Sequence, residues 1–115
     1  MTGPSPALSV GIGRSGATSR VLLTGEFDLA GVGEVENALD LAFQAPATER
    51  IVFDLRRLTF VDGAGLRTII RAHQRALAAA IDLVVVRPRG VANRVFTLTR
   101  AGKQLSMVDQ PEDTA

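Results

Sequence analysis

The stretch Leu58-Thr59-Phe60-Val61-Asp62-Gly63-Ala64-Gly65-Leu66-Arg67 constrains the fold more than any other. An apolar run ends at Asp62, glycines follow at 63 and 65, and helical spacing begins at once. Asp62 can cap a helix by accepting hydrogen bonds from the free N–H groups of its first turn. Gly63 and Gly65 leave the backbone there without side-chain cover. Such a bend is an open helix N-terminus, suited to docking or to an anion.

The rest of the chain reads as elements arranged around that bend. Ala7 to Ile12 and Thr18 to Leu23 alternate as two strands. Between them, Gly11-Ile12-Gly13-Arg14-Ser15-Gly16 has the spacing of a dinucleotide fingerprint. That fingerprint needs a following helix, whereas Arg20-Val21-Leu22-Leu23 is strand-like, so the glycines read as a hairpin loop. Gly25 to Leu29 leaves the second strand. Val32, Val35, Leu39, Ala42 and Phe43 share one face of a helix over about Val32 to Gln44, ended by Pro46. Glu34 and Glu36 favour its N-terminal end.

Ile51 to Leu55 is almost continuously apolar, as in a central parallel strand buried on both faces. Arg56-Arg57 make a polar step before Leu58 to Val61. A second helix is expected over Ala64 to Ala79, with Leu66, Ile69, Ile70, His73, Leu77 and Ala80 facing inward. Leu83 to Val86 is a buried fourth strand. Pro88 opens a third helix with Val91, Val95 and Leu98 inward. Ser106 to Val108 forms a short edge strand. Met1 to Pro6 and Asp109 to Ala115 read as loose tails around one domain, 7–108. This order predicts a small mixed sheet with crossover helices.

Composition narrows the function classes. One domain is the natural count for 115 residues. There is no cysteine, so thiolate chemistry and disulfides are excluded. With a single histidine, a transition-metal site is not expected, and His73 reads as a packed residue. The first residues lack a basic and an apolar segment, and no apolar run nears the roughly 18 residues of a membrane span. A cytoplasmic protein without direct membrane contact is the expectation. Net charge is +1, and Trp and Tyr are absent, which gives neither a pull toward nucleic acid nor stacking platforms.

The same residues carry a resemblance. Leu58 to Leu66 resembles the signature of STAS domains, the anti-sigma factor antagonist family, usually written L-T-F-x-D-S-S-G-L. Gly25-Glu26-Phe27-Asp28-Leu29, Val52-Phe53-Asp54-Leu55 and Arg71-Ala72-His73-Gln74-Arg75-Ala76 match in order, over about Leu8 to Val108. The resemblance implies a small single-domain α/β fold, a mixed four- to five-stranded sheet with crossover helices packed on one face. It also implies a binding module rather than an enzyme, with no cofactor. Its partner would be an anti-sigma factor resembling the histidine-kinase-like serine kinases, or another signalling protein. The implied contact surface is Glu26, Asp28 and Leu29 with Asp62, Gly63, Ala64, Gly65, Leu66 and Arg67. It continues along the second helix through Arg71 and Arg75. The departures are at Ala64, where the family carries its phosphorylated serine, and at Thr99 to Leu105, where its usual T-G-L is missing. Ala64 has no hydroxyl and accepts no phosphoryl group. In phosphorylated relatives, added charge at this position repels the kinase.

Each candidate also has a plainer reading. Asp62 can be only a cap. Glu26, Asp28, Asp54 and Asp62 can meet near strand ends as a metal or acid–base cluster, but they can equally cap turns. Arg67, Arg71 and Arg75 recur every fourth residue, a spacing that costs helix stability, and form either a solvated face or a docking ridge. Thr59 reads as packed and Thr68 as outward and open to modification. Two alternatives to anti-sigma capture remain: an accessory subunit of a lipid-transport ABC complex, and a weak nucleotide binder.

Overall fold

The computed structural model describes residues 7–111. The expected tail 1–6 lies outside them, as do residues 112–115 of the expected tail 109–115. Asp109 is placed, with its carboxylate 2.7 Å from Arg87 Nε.

Strands β1 (Leu8–Ser15) and β2 (Thr18–Phe27) form an antiparallel hairpin. It closes through Gly16 and Ala17, with Gly16 at φ +58°, a region open to glycine. Gly11 to Ser15 therefore lie in β1 rather than in a loop, because pairing with β2 outweighs glycine's poor strand preference. A 3-10 turn (Leu29–Gly31) leads into α1 (Val32–Gln44). β3 (Arg50–Val61) is one long strand, with no break at Arg56-Arg57. Register shifts opposite Leu22 to Thr24 and Gly25 to Glu26 absorb the irregularity and keep β2 beside it. Then follow α2 (Gly63–Ala79), β4 (Asp82–Val86), α3 (Val91–Leu98), α4 (Ala101–Gln104) and β5 (Met107–Val108).

The five strands lie side by side in chain order, and every pair after the first is parallel. Parallel neighbours need a crossover, which α1, α2 and the α3–α4 pair supply in turn. Alternate residues Val21, Leu23, Ile51, Phe53, Leu55, Leu83 and Val85 join one core with Val35, Ala38, Leu39 and Ala42 of α1 and Ile69, Ala72 and Ala76 of α2. Phe96 and Ala101 from the last two helices join the same core. The opposite face carries a separate cluster of Val52, Val84 and Val86 with Val108 against them, and no helix contributes to it. The sheet is thus covered by helices on one face, as expected.

Two helical faces differ from expectation. The buried line of α2 is Gly65, Thr68, Ile69, Ala72 and Ala76, whereas Leu77 is 68% exposed, His73 half-buried and Ala80 a left-handed C-cap. Thr68 tolerates burial because its hydroxyl donates to the Ala64 carbonyl at 2.9 Å. In α3, Ala92 and Phe96 face inward, while Val91 and Leu98 are exposed. Pro88 precedes this helix in an extended link, and Gly90 occupies the N-cap.

Asp54 is buried on the rear face of β3, 1% exposed. Its two oxygens accept from Arg56 Nε (3.0 Å) and a terminal nitrogen (2.7 Å), and one also accepts from the Arg56 backbone N–H. Burial pushes the carboxyl up, but these bonds and the charges of Arg56 and Arg20 outweigh it and hold the pKa below its usual value. A depressed folded-state pKa stabilises the protein above the unfolded carboxyl value, near ~3.9, and the contribution is lost as pH falls through the folded value. Asp54→Asn is therefore expected to be less stable than wild type at pH 7, with the gap closing in acid below about pH 4. Arg56→Ala should cost about 2–3 kcal/mol, less than for a fully buried pair because the guanidinium keeps some water contact. Urea unfolding across pH measures both.

Candidate partner-binding site

The C-terminal ends of β2 and β3 and the start of α2 meet at one end of the sheet. Asp62 is the residue that joins them. It adopts extended backbone at the N-cap of α2, and one carboxylate oxygen accepts from Gly65 N–H at 2.8 Å. The other oxygen accepts from Leu29 N–H at 3.2 Å, in the 3-10 turn after β2. Its own N–H donates to the Phe27 carbonyl at 3.1 Å. Asp62 thus caps α2, as its position in sequence implies, and also ties the β2 exit to it. Asp28 caps the neighbouring turn, accepting from Ala30 N–H at 3.1 Å.

Gly65 has a different role from the expected one. It is buried, and its N–H belongs to Asp62. A Cβ there would sit 2.8 Å from the Phe27 carbonyl oxygen and 3.1 Å from its ring. The glycine permits helix and strand to touch; only Gly63 is exposed backbone. Around this joint Leu29 (72% exposed), Gly63, half-buried Ala64 and Arg67 are accessible, while Phe60 (45% exposed) is turned to the helix-free side of β3, since its neighbour Val61 enters the core. Glu26 is exposed beside Phe60, its register partner on β3. Apolar side chains rimmed by one cation and one anion suit a protein contact.

Glu26, Asp28, Asp62, Gly63, Ala64, Gly65, Leu66 and Arg67 are therefore brought together, with Leu66 half-buried and packed on the core. Arg71 and Arg75 are not part of this patch. Arg71 lies 3.6 Å from Glu36, and Arg75 pairs with Asp40 while its guanidinium stands 4.3 Å from the centre of the Phe43 ring. The ridge is a seam between α2 and α1, so its arginines relieve their mutual repulsion against acids of the neighbouring helix. The signal was present as matching four-residue ladders, Glu36/Asp40 and Arg71/Arg75. The exposure of Leu29 agrees with its place on the implied contact surface, whereas that of Phe60 has no sequence signal, since it sits in an apolar run.

The four carboxylates do not form one metal or acid–base cluster. Asp54 lies mid-strand on the rear face, locked to Arg56, and among the described residues no three acidic or histidine side chains are grouped to hold a metal. The two threonines also exchange roles. Thr68 is buried, whereas Thr59 is exposed, with its hydroxyl donating to the Gly25 carbonyl at 3.2 Å.

Asp62→Ala should cost about 2 kcal/mol, since it removes a cap and a second backbone bond. Asp62→Asn should cost less, because the amide oxygen still accepts one of the two. Gly65→Ala should cost about 1–3 kcal/mol through the clash with Phe27. Denaturant midpoints rank the three.

Comparison with known proteins fits this geometry. Residues 10–109 match the family model described as "Mlab, STAS domain". No curated protein shows significant sequence similarity. An anti-sigma factor antagonist from Mycobacterium paratuberculosis superposes with a TM-score of 0.81 at 23% identity, over 95% of this chain and 92% of that one. The anti-sigma factor antagonist SpoIIAA in its unphosphorylated form gives 0.76 at 21% identity, over 92% and 91%. The Bacillus cell fate determinant SpoIIAA in its phosphorylated form gives 0.70 at 21%, over 92% and 95%. None of the helices among the described residues is long and apolar enough to cross a membrane. With a family model spanning nearly the whole described chain and the fold shared with these structures, this protein belongs to the STAS domain family.

Proposed function

We propose that this chain is a protein-binding module that captures an anti-sigma factor and so frees a sigma factor, with no phosphorylation at position 64 to release it. The observation that supports this is the Asp62 joint. It fixes Leu29 beside Gly63, Ala64 and Arg67 at the start of α2, so little ordering cost opposes docking there. Arg67 is the cation of that surface with no ion pair among the described residues, and it lies over Gly63. Binding, not turnover, is what an apolar patch with a single charge on each side can do. The kinase-like anti-sigma factor implied by the resemblance is the partner it fits. Control then rests on expression or on a competing protein.

An accessory subunit of a lipid-transport ABC complex is the second reading, and one feature favours it. A contact surface with no hydroxyl at its centre suits a permanent assembly as well as a switched one.

Mixing the chain with its cognate kinase-like anti-sigma factor and labelled ATP tests the first reading. A stable complex is expected with no label on this chain, while Ala64→Ser takes up label and then dissociates. Arg67→Glu should weaken the complex about fivefold, in line with a rim charge of roughly 1 kcal/mol. Stoichiometric label on the wild-type chain, or no complex at all, rejects this reading. Co-purification with an ATP-binding-cassette subunit instead supports the second.

A further inference from the structure

We propose that β1 is a pairing edge for a second copy of this chain. The two edges of the sheet are unlike. β5 is two residues long and offers almost no template, whereas β1 runs for eight residues along the opposite edge. Natural edges are usually protected by lysine, proline, a bulge or a cover. β1 pairs with β2 without a register shift, holds neither lysine nor proline, and carries one charge, on Arg14. That guanidinium is turned away along its own subunit, to Ser19, Thr48 and the Pro46 carbonyl.

The two-residue turn fixes which backbone groups are free. Ser15 and Thr18 flank it as a hydrogen-bonded pair, so Ser9, Gly11, Gly13 and Ser15 bond to β2. Leu8, Val10, Ile12 and Arg14 therefore direct their N–H and C=O groups outward. One two-fold antiparallel register uses all four outward residues. It places Gly11 against Gly11 of the second copy, Val10 against Ile12, and Leu8 against Arg14. Isologous pairing of this kind closes on itself and gives a dimer rather than a fibre.

Three observations favour a copy of this chain over another occupant. Ile12 is 52% exposed at the middle of the edge, and this register covers it with the second copy's Val10. Leu41, 61% exposed, lies on the same flank: α1 packs over β1 and β2, its Glu36 and Asp40 face α2, and Leu41 points the other way. Charge is complementary as well. The start of α1 sits over Leu8, as the approach of Gly31 to that side chain shows, and Glu34 is in its first turn. The two-fold axis brings each Arg14, held by its own subunit's Ser19, Thr48 and Pro46, to the strand end opposite the other copy's Leu8 and Glu34, so the charges attract across the interface without forming an ion pair, and it keeps the two arginines apart. Strand pairing with two apolar flanks is less than a standard interface, so the dimer is expected at micromolar concentration. The joint around Asp62 is at the strand ends and stays open.

The absence of cysteine makes the register directly testable. Gly11→Cys places one thiol on the axis, where a Cβ meets only ordinary contacts, and Gly13→Cys places one two residues off it in open space. Under mild oxidation, Gly11→Cys should form a covalent dimer at least tenfold faster than Gly13→Cys. Sedimentation of the wild-type chain should show a mass that doubles with rising concentration. Ile12→Lys should remain monomeric, with an unchanged far-UV spectrum and the melting temperature of the dilute, monomeric wild-type chain. Equal cross-linking of both cysteine variants, or a wild-type monomer at several hundred micromolar, overturns the proposal. The monomer result would leave the edge to an extended segment of a different protein.

Discussion

Everything at the working end of this molecule depends on a single carboxylate. Asp62 accepts from two backbone N–H groups that belong to different elements, the turn after β2 and the first turn of α2. A charged acceptor serving two donors is stronger than a neutral cap, and here it also sets the distance between strand and helix. Gly65 is the steric half of the same arrangement, since no larger residue lets α2 reach the Phe27 carbonyl. Ala64 bears no structural bond through its side chain, so this arrangement does not depend on it.

The charged seam between α1 and α2 and the buried pair on the rear face solve a related problem. Both helix ladders carry like charges at a spacing that weakens isolated helices. Facing each other, Glu36/Asp40 and Arg71/Arg75 exchange that penalty for ion pairs and for stacking of Arg75 on Phe43. These pairs are half-exposed and individually weak. Asp54 differs: it is enclosed, and Arg56 two residues along the same strand keeps it ionised. Both residues point to the same side of β3, which is why an acid and a base can be close neighbours in an otherwise apolar strand.

Much of the fold was legible in the sequence, because its cues are local. The apolar run at Ile51 to Leu55, Pro46 after α1, and the Asp-Gly bend at 62–63 each mark an element or its end. The errors came where packing decides. Glycines between Gly11 and Gly16 imitate a loop, yet β2 supplies a partner for most of them. On the inner face of α2, Ile69 is buried and Leu66 and Ile70 pack on the core, but Gly65, Thr68, Ala72 and Ala76 lie inward where His73, Leu77 and Ala80 were expected, because α1 and the sheet come close. Of the candidate site, the cap at Asp62 was readable from its residue type and place. Its second bond, to Leu29, joins residues 33 apart and has no sequence signature.

That separation has a consequence for how the surface comes into being. The β1–β2 hairpin needs only a tight turn and can form early, whereas the Leu29–Asp62 and Phe27–Asp62 contacts require α1 and β3 to be in place. No excised segment carrying the bend alone would present Leu29 beside Gly63, Ala64 and Arg67. A partner that reads this surface, as proposed above, therefore also reads completed folding, and a chain still lacking β3 does not display it.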